Sequence, residues 1–190
     1  MIEINEEILK VCDILNQGGL ILYPTDTIWG IGCDATNDKA VERVYALKQR
    51  ADHKAMLVLI DSAAKLTQYV SDVPEMAWDL IELADKPLTI IYPEGINLAN
   101  RLLGDDRSIG IRVTRELFSG QLCQCFRKPL VSTSANISGQ PSPASFSEIS
   151  DEVKNGVDYI VRYRRNEKIK SNPSGIIRLD INNTFQIIRK

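Results

Sequence analysis

Pro129-Leu130-Val131-Ser132-Thr133-Ser134-Ala135-Asn136-Ile137-Ser138-Gly139 is the stretch on which the reading of this chain turns. A short apolar run leads without a break into hydroxyls and an amide. In open α/β sheets ligands gather at strand ends, in the segments that follow. If the chain stays extended, Ser132, Ser134, Asn136 and Ser138 point to one side. If it turns, the same groups satisfy their own backbone. Working outward, apolar runs at 20–23, 56–60, 88–92, 109–113, 130–133, 159–161 and 176–179 read as strands. Helical spacing appears at 6–16, 38–50, 63–69, 74–83, 116–126 and 146–153. Gly18-Gly19 stops the first helix and Asn37 caps the second. Asn182-Asn183 reads as a two-residue turn that adds 185–189 as a terminal antiparallel strand. Alternating helix and strand patterns give an α/β fold with a mixed sheet and flanking helices.

With 190 residues and 44% hydrophobic content, the chain can bury one core, so a single domain over 1–190 is expected. A net charge of −2 argues against a coat of positive charge for non-specific nucleic-acid binding. No apolar run approaches the roughly 20 residues of a membrane span. The acidic opening Met1-Ile2-Glu3-Ile4-Asn5-Glu6-Glu7 lacks the basic and apolar regions of a signal peptide. Cys12, Cys33, Cys123 and Cys125 fit no zinc or redox spacing and read as reduced, mostly buried thiols. A cytoplasmic location without membrane contact follows as the expectation.

Lys48 and Arg50 end the second helix. Two positions apart, they do not share one helical face unless the helix has ended. They either aim into a cleft or complement the helix dipole. Together with Ser134 and Asn136 they form the inventory that holds polyphosphate. Thr25 and Thr27, beyond the first strand, either face a ligand or make a turn into Gly30-Ile31-Gly32. Those glycines are not a dinucleotide fingerprint, and no Walker lysine motif exists. Arg112 lies within an apolar strand, which is costly unless it meets a carboxylate or a ligand. His53 is the only histidine, so a Ser-His-Asp or Cys-His triad is not expected. Arg162, Arg164, Arg165, Lys168 and Lys170 make a late basic run: a solvated loop, a lid over phosphates or a patch for RNA.

These residues, read together, form a set. Tyr23-Pro24-Thr25-Asp26-Thr27, Gly30-Ile31-Gly32-Cys33-Asp34-Ala35, Lys48-x-Arg50, Ser108-Ile109-Gly110-Ile111-Arg112-Val113, the 129–139 stretch and Asn172-Pro173-Ser174 occur in one order. The chain resembles the YrdC-like family, the threonylcarbamoyl-AMP synthases of tRNA modification. The resemblance runs nearly end to end. It implies a twisted mixed sheet with flanking helices and a large concave cleft. It also implies an enzyme that joins L-threonine, bicarbonate or CO2, and ATP into threonylcarbamoyl-AMP and pyrophosphate. A partner complex then transfers the threonylcarbamoyl group to tRNA.

By resemblance, Lys48, Arg50, Ser134 and Asn136 carry the catalysis. Lys48, Arg50, Lys54, Ser108, Ser134, Asn136, Ser142 and Arg189 surround ATP. Thr27, Arg112, Ser132 and Ser174 hold threonine. Mg2+ is expected on the ATP phosphates, with no metal held by the protein itself. The chain departs from the family at Ala55-Met56, at Asp85-Lys86-Pro87, at Leu59 (a histidine in longer members) and at Gly175. Two alternatives stand beside the synthase. One is a module for tRNA or double-stranded RNA resting on the basic run. The other is a paralogue that adenylates a different substrate, suggested by Leu59 and Gly175.

Overall fold

The strand β1 (Ile21–Tyr23) puts apolar side chains on both faces, so the sheet around it must be covered on both. The computed structural model describes residues 2–50, 56–167, 173–182 and 184–190. Among them a nine-stranded sheet runs β7-β1-β2-β6-β3-β5-β4-β8-β9. The other strands are β2 (Gly30–Gly32), β3 (Leu57–Ile60), β4 (Leu88–Tyr92), β5 (Ile109–Val113), β6 (Leu130–Ser134), β7 (Tyr159–Ile160), β8 (Gly175–Leu179) and β9 (Phe185–Arg189). Three neighbouring pairs, β1/β7, β3/β5 and β4/β8, are parallel and the rest antiparallel, so the sheet is mixed. The helices are α1 (Ile2–Asn16), α2 (Asp38–Leu47), α3 (Met76–Leu83), α4 (Leu117–Phe126) and α5 (Asp151–Asn155).

One face carries the larger core. Val58, Ile60, Ile90, Ile111 and Val131 pack there with Ala40, Val41, Val44 and Tyr45 of α2. On the opposite face α1 and α4 cover only part of the sheet. Ile8, Val11, Leu15, Phe118, Leu122 and Phe126 bury Ile21, Tyr23, Leu59 and Leu130. The strand positions next along that face are Gly30, Ser132, Ser134, Leu57, Gly110, Thr89 and Ile91, and they border open space. Small and polar residues stand where no helix lies.

Several expected boundaries move. α1 begins four residues early, because Ile4 extends the apolar stripe of Ile8. Residues Ala63–Gln68 form a 3-10 helix rather than an α-helix. The 146–153 helix splits: a 3-10 turn at Phe146–Glu148 ends, and Ser150 caps α5 by accepting from Val153 N at 3.4 Å. The 182–183 turn is longer than two residues. Asp180 N donates to Thr184 O at 2.9 Å and Leu179 faces Phe185; Asn183 lies outside the described residues. β2 was not among the expected strands. It pairs because its glycines leave room for the Tyr23 ring, whose hydroxyl donates to Val131 O at 3.2 Å.

A methyl group on Gly32 would meet Tyr23 Cε1 at 2.6 Å and Val131 O at 2.9 Å. Gly120, inside α4, has nothing closer than Thr114 O at 3.9 Å. Gly32→Ala is therefore expected to destabilise by about 1–3 kcal/mol. Gly120→Ala is expected to stabilise by about 0.5–1 kcal/mol, because alanine restricts the unfolded chain and favours helix. Chemical denaturation of the two variants beside the parent measures both signs.

Candidate active site

α2 stops in a way that sends its two terminal cations in different directions. Gln49 takes a left-handed φ of 49°. Its N–H donates to Ala46 O at 3.0 Å, and Arg50 N–H donates to Tyr45 O at 3.1 Å. This is the Schellman closure, here without the usual glycine. Lys48 turns inward and is 2% exposed. Its Nζ donates to the carbonyls of Ser134 and Asn136, both at 2.6 Å. Its own carbonyl accepts from Ser138 N at 2.8 Å. Burial, and then the charge of Arg50, lowers the Lys48 ammonium to about 8. Lys48 is thus a clamp on the end of β6, and only Arg50 of the pair borders the open cavity.

The cavity holds about 350 Å³ and sits on the uncovered part of the sheet. Of the residues singled out from the sequence, Thr27, Arg50, Ser108, Arg112, Ser132, Ser134, Ser142, Ser174 and Arg189 border it. Lys48 and Asn136 do not, and Lys54 and His53 lie outside the described residues. Ser132 and Ser134 share a face as an extended strand requires. The row ends there, because Asn136 N donates back to Ser134 O at 2.9 Å and the chain turns. The Asn136 Nδ2 is spent on the turn, donating to Ile137 O at 2.9 Å and Gln140 O at 2.7 Å, while its Oδ1 is buried without a partner.

Arg112 meets the carboxylate expected for it and also borders the cavity. It is 2% exposed and pairs with Asp26 Oδ1 at 2.9 Å, while its Nη2 reaches Thr27 Oγ1 at 3.4 Å. Its Nε is buried without a partner. Burial pushes the Asp26 carboxyl up, with the neighbouring guanidinium working against that rise. Thr25 forms the local turn, accepting from Thr27 N at 3.1 Å, and Thr27 faces the cavity. Ser174 is held by Thr89, Oγ to Oγ1 at 2.9 Å, and its carbonyl accepts from Arg189 Nε at 2.9 Å.

Arg189 faces the cavity because of an irregularity. Ile177 pairs with Ile187 but Ile176 pairs with Arg189, so Ile188 is an extra residue in β9. Such a bulge turns the following side chain to the other face. Three residues escaped the sequence reading: Asp26, Thr89 and Arg178. Asp26 stood between two threonines of a motif already singled out. Nothing local marked Thr89, or Arg178 on β8, as cavity residues.

Four guanidiniums, from Arg50, Arg112, Arg178 and Arg189, border the cavity among the described residues, and no carboxylate does. Seryl and threonyl hydroxyls supply neutral donors and acceptors beside them. The lining suits an anionic, oxygen-rich ligand with an apolar part that meets Leu57, Ile91 and Ile176. The basic run is spent elsewhere. Arg162 pairs with Glu7 at 3.5 Å. Arg164 pairs with Glu167 at 2.6 Å and donates to Thr25 O at 3.0 Å. Arg165 donates to Val161 O at 2.7 Å and stacks near Phe146. These arginines fasten the loop to the body of the protein; Lys168 and Lys170 lie outside the described residues.

The Sua5_yciO_yrdC family model, described as "Telomere recombination", matches residues 13–190. The chain belongs to the Sua5/YciO/YrdC family. A family relative from Pseudoalteromonas translucida (strain TAC 125), named threonylcarbamoyl-AMP synthase, is 39% identical over 150 residues, covering 77% of this chain and 80% of its own. The crystal structure of E. coli YciO is similar at a TM-score of 0.82 and 26% identity, over 96% of this chain and 88% of that one. P. abyssi Sua5 complexed with L-threonine has the same fold, at a TM-score of 0.78 and 24% identity over 90% of this chain. This chain spans about half of that Sua5, 50% of its length. Among the described residues no helix is long and apolar enough to cross a membrane.

The buried Lys48 has a pH signature. Unfolded, the amine loses its proton near 10.5; folded, near 8. Between these values the unfolded chain binds more protons, so this group's contribution to stability rises with pH. The buried thiols of Cys12, Cys33 and Cys123 are raised by burial and act oppositely above about pH 9. The comparison with Lys48→Met isolates the lysine. The stability of the parent relative to the variant should rise by about 1 kcal/mol from pH 8 to 9. Urea titrations at the two pH values measure it, and a flat difference contradicts the burial of the charge.

Proposed function

We propose that this chain is a threonylcarbamoyl-AMP synthase, forming threonylcarbamoyl-AMP and pyrophosphate from L-threonine, bicarbonate or CO2, and ATP. The observation that carries the reading is one cavity in which, among the described residues, four guanidiniums and a set of hydroxyls converge without a carboxylate. The 39% identical relative of that name supports it. The chemistry asks for little else. The threonine amine adds to CO2 and loses a proton, giving a carbamate. A carbamate oxygen forms a bond to the α-phosphorus of ATP as the bond to the β-phosphate oxygen breaks, and pyrophosphate leaves. No protein nucleophile takes part, so the residues act by holding and by neutralising charge.

In this reading Arg50, Ser134 and Ser142 meet the triphosphate, with Ser108 and Arg189 further along the nucleotide. Lys48 and Asn136 act indirectly, by fixing the backbone that presents Ser134. Arg112 takes the threonine carboxylate, its unpartnered Nε among the available donors, while Asp26 holds it from behind. Thr27, Ser132 and Ser174 supply hydrogen bonds to the amino acid. The donor set fits a divalent cation that arrives on the nucleotide. The lining offers hydroxyls but no carboxylate, and among the described residues no three His, Cys, Asp or Glu gather. Mg2+ would supply charge neutralisation on the phosphates, with Ser134 and Ser142 as its protein neighbours. The product would pass to a transfer complex acting on tRNA, with the chain working in the cytoplasm. Of the basic run, Arg164 and Arg165 are held against the body of the protein, so among the described residues the RNA-module alternative rests on Arg162, which is 70% exposed.

Pyrophosphate release from ATP is expected to require both L-threonine and bicarbonate, and other amino acids in place of threonine test the paralogue reading. Release that ignores threonine refutes the synthase. Arg50→Ala is expected to lower kcat/KM for ATP more than tenfold. Arg112→Lys, which keeps the charge but loses the fork, is expected to raise KM for threonine more than tenfold at little cost in ATP affinity.

A further inference from the structure

Arg178 is the one cavity guanidinium that neither the sequence motifs nor the proposed chemistry uses. It stands on β8, 43% exposed, and pairs with Asp106, 52% exposed. The other Asp106 oxygen accepts from Ser108 N at 3.0 Å, closing a tight loop over Gly104. Strand register fixes where Arg178 lies. Leu57 faces Ser132, Ile91 faces Gly110, and Ile91 also faces Arg178. Val58 faces Ile111, so Leu57 stands beside Gly110. One row therefore crosses the cavity floor from Ser132 on β6 to Arg178 on β8. At about 4.8 Å per strand, these four steps amount to about 19 Å along the sheet.

The two ends of that row differ in chemistry. At the Ser132 end, Ser134 follows on β6, and Lys48 ties the end of α2, just before Arg50, to the Ser134 carbonyl. Between the ends the floor is apolar and low: Leu57, Gly110 and Ile91. A methyl group on Gly110 would make only ordinary contacts, the nearest to Thr89 Cγ2 at 3.5 Å, so packing does not explain the missing side chain. Its absence leaves a shallow surface on which a planar ring can lie. A triphosphate seated at the Ser134 end covers only part of the span, and the remainder is the reach of a nucleoside. Arg178 borders that far end with a planar cation that stacks on, or donates to, a heteroaromatic ring. Its present partner is no obstacle, since an exposed ion pair is worth little and exchanges cheaply.

We infer that Arg178, held ready by Asp106, is a further binding residue of the cavity that meets the nucleoside end of the nucleotide and not its phosphates. The inference rests on the nucleotide reading of the cavity, and the test separates the two. Calorimetric titration of the full chain with ATP and with inorganic tripolyphosphate distinguishes the two ends of the row. Arg178→Ala is expected to weaken ATP binding at least tenfold and to change tripolyphosphate binding less than twofold. Arg50→Ala is expected to weaken both. If Arg178→Ala lowers the thermal midpoint, Arg178→Gln, which keeps the length and packing of the stem, replaces it. Unchanged ATP affinity, or an equal loss for both ligands, overturns the role of Arg178 alone. A parent chain that binds neither ligand overturns the nucleotide reading, and this inference with it.

Discussion

The site depends on a buried ammonium. Lys48 Nζ joins the C-terminal end of α2 to the C-terminal end of β6, through the carbonyls of Ser134 and Asn136. Taking a cation out of water is costly, and neutral carbonyls offset that only in part. The interaction persists because the surrounding elements hold it. Gln49 adopts a conformation unusual for a side-chain-bearing residue, and Ser138 N closes the loop back onto the Lys48 carbonyl. With Lys48 turned inward, Arg50 is carried to the cavity and β6 is stopped at Ser134. A helix end and a strand end far apart in sequence become one wall.

The second constraint is the incomplete cover over one face of the sheet. α1 and α4 bury Tyr23, Leu59 and Leu130, and beyond their edge the same face carries glycine, serine and threonine. A sheet covered on both faces everywhere would read as continuous apolar runs. This one departs from that pattern along β2, β6 and the middle of β5, and the departure is the cavity floor. The core on the opposite face is continuous beneath it, so the floor is rigid where it is bare.

The alternation of a covered strand with exposed hydroxyls was legible in Ser132 and Ser134, because two-residue periodicity is a property of the backbone. Its extension to Asn136 was not, since the turn is set by Lys48, which lies 88 residues away. The separation of Lys48 from Arg50 followed from helical geometry, yet which of them faced the ligand did not. Arg112 advertised a buried partner by its place in an apolar strand, and that partner proved to be a motif residue, Asp26. Arg189 was reached through resemblance alone: its orientation depends on the extra residue Ile188, and a bulge leaves no composition signal. β2 was missed because two of its three residues are glycines, poor strand formers that pairing with β1 and β6 overrides.

The placement of carboxylates completes the electrostatic design. Arg112 and Arg178 each have an acidic partner, Asp26 and Asp106, and neither acid borders the cavity. Asp26, buried with Arg112, fixes that guanidinium and lowers the cost of assembling like charges, whereas the half-exposed pair with Asp106 leaves Arg178 free to exchange. Because those acids stay out of the lining, the lining keeps its positive character toward whatever enters. Arg189 is fixed instead by a neutral carbonyl and hydroxyl of Ser174, and Lys48 by carbonyls alone. A chain with a net charge of −2 thereby concentrates an electropositive surface in one concavity. That local field is not revealed by the net charge of the whole chain.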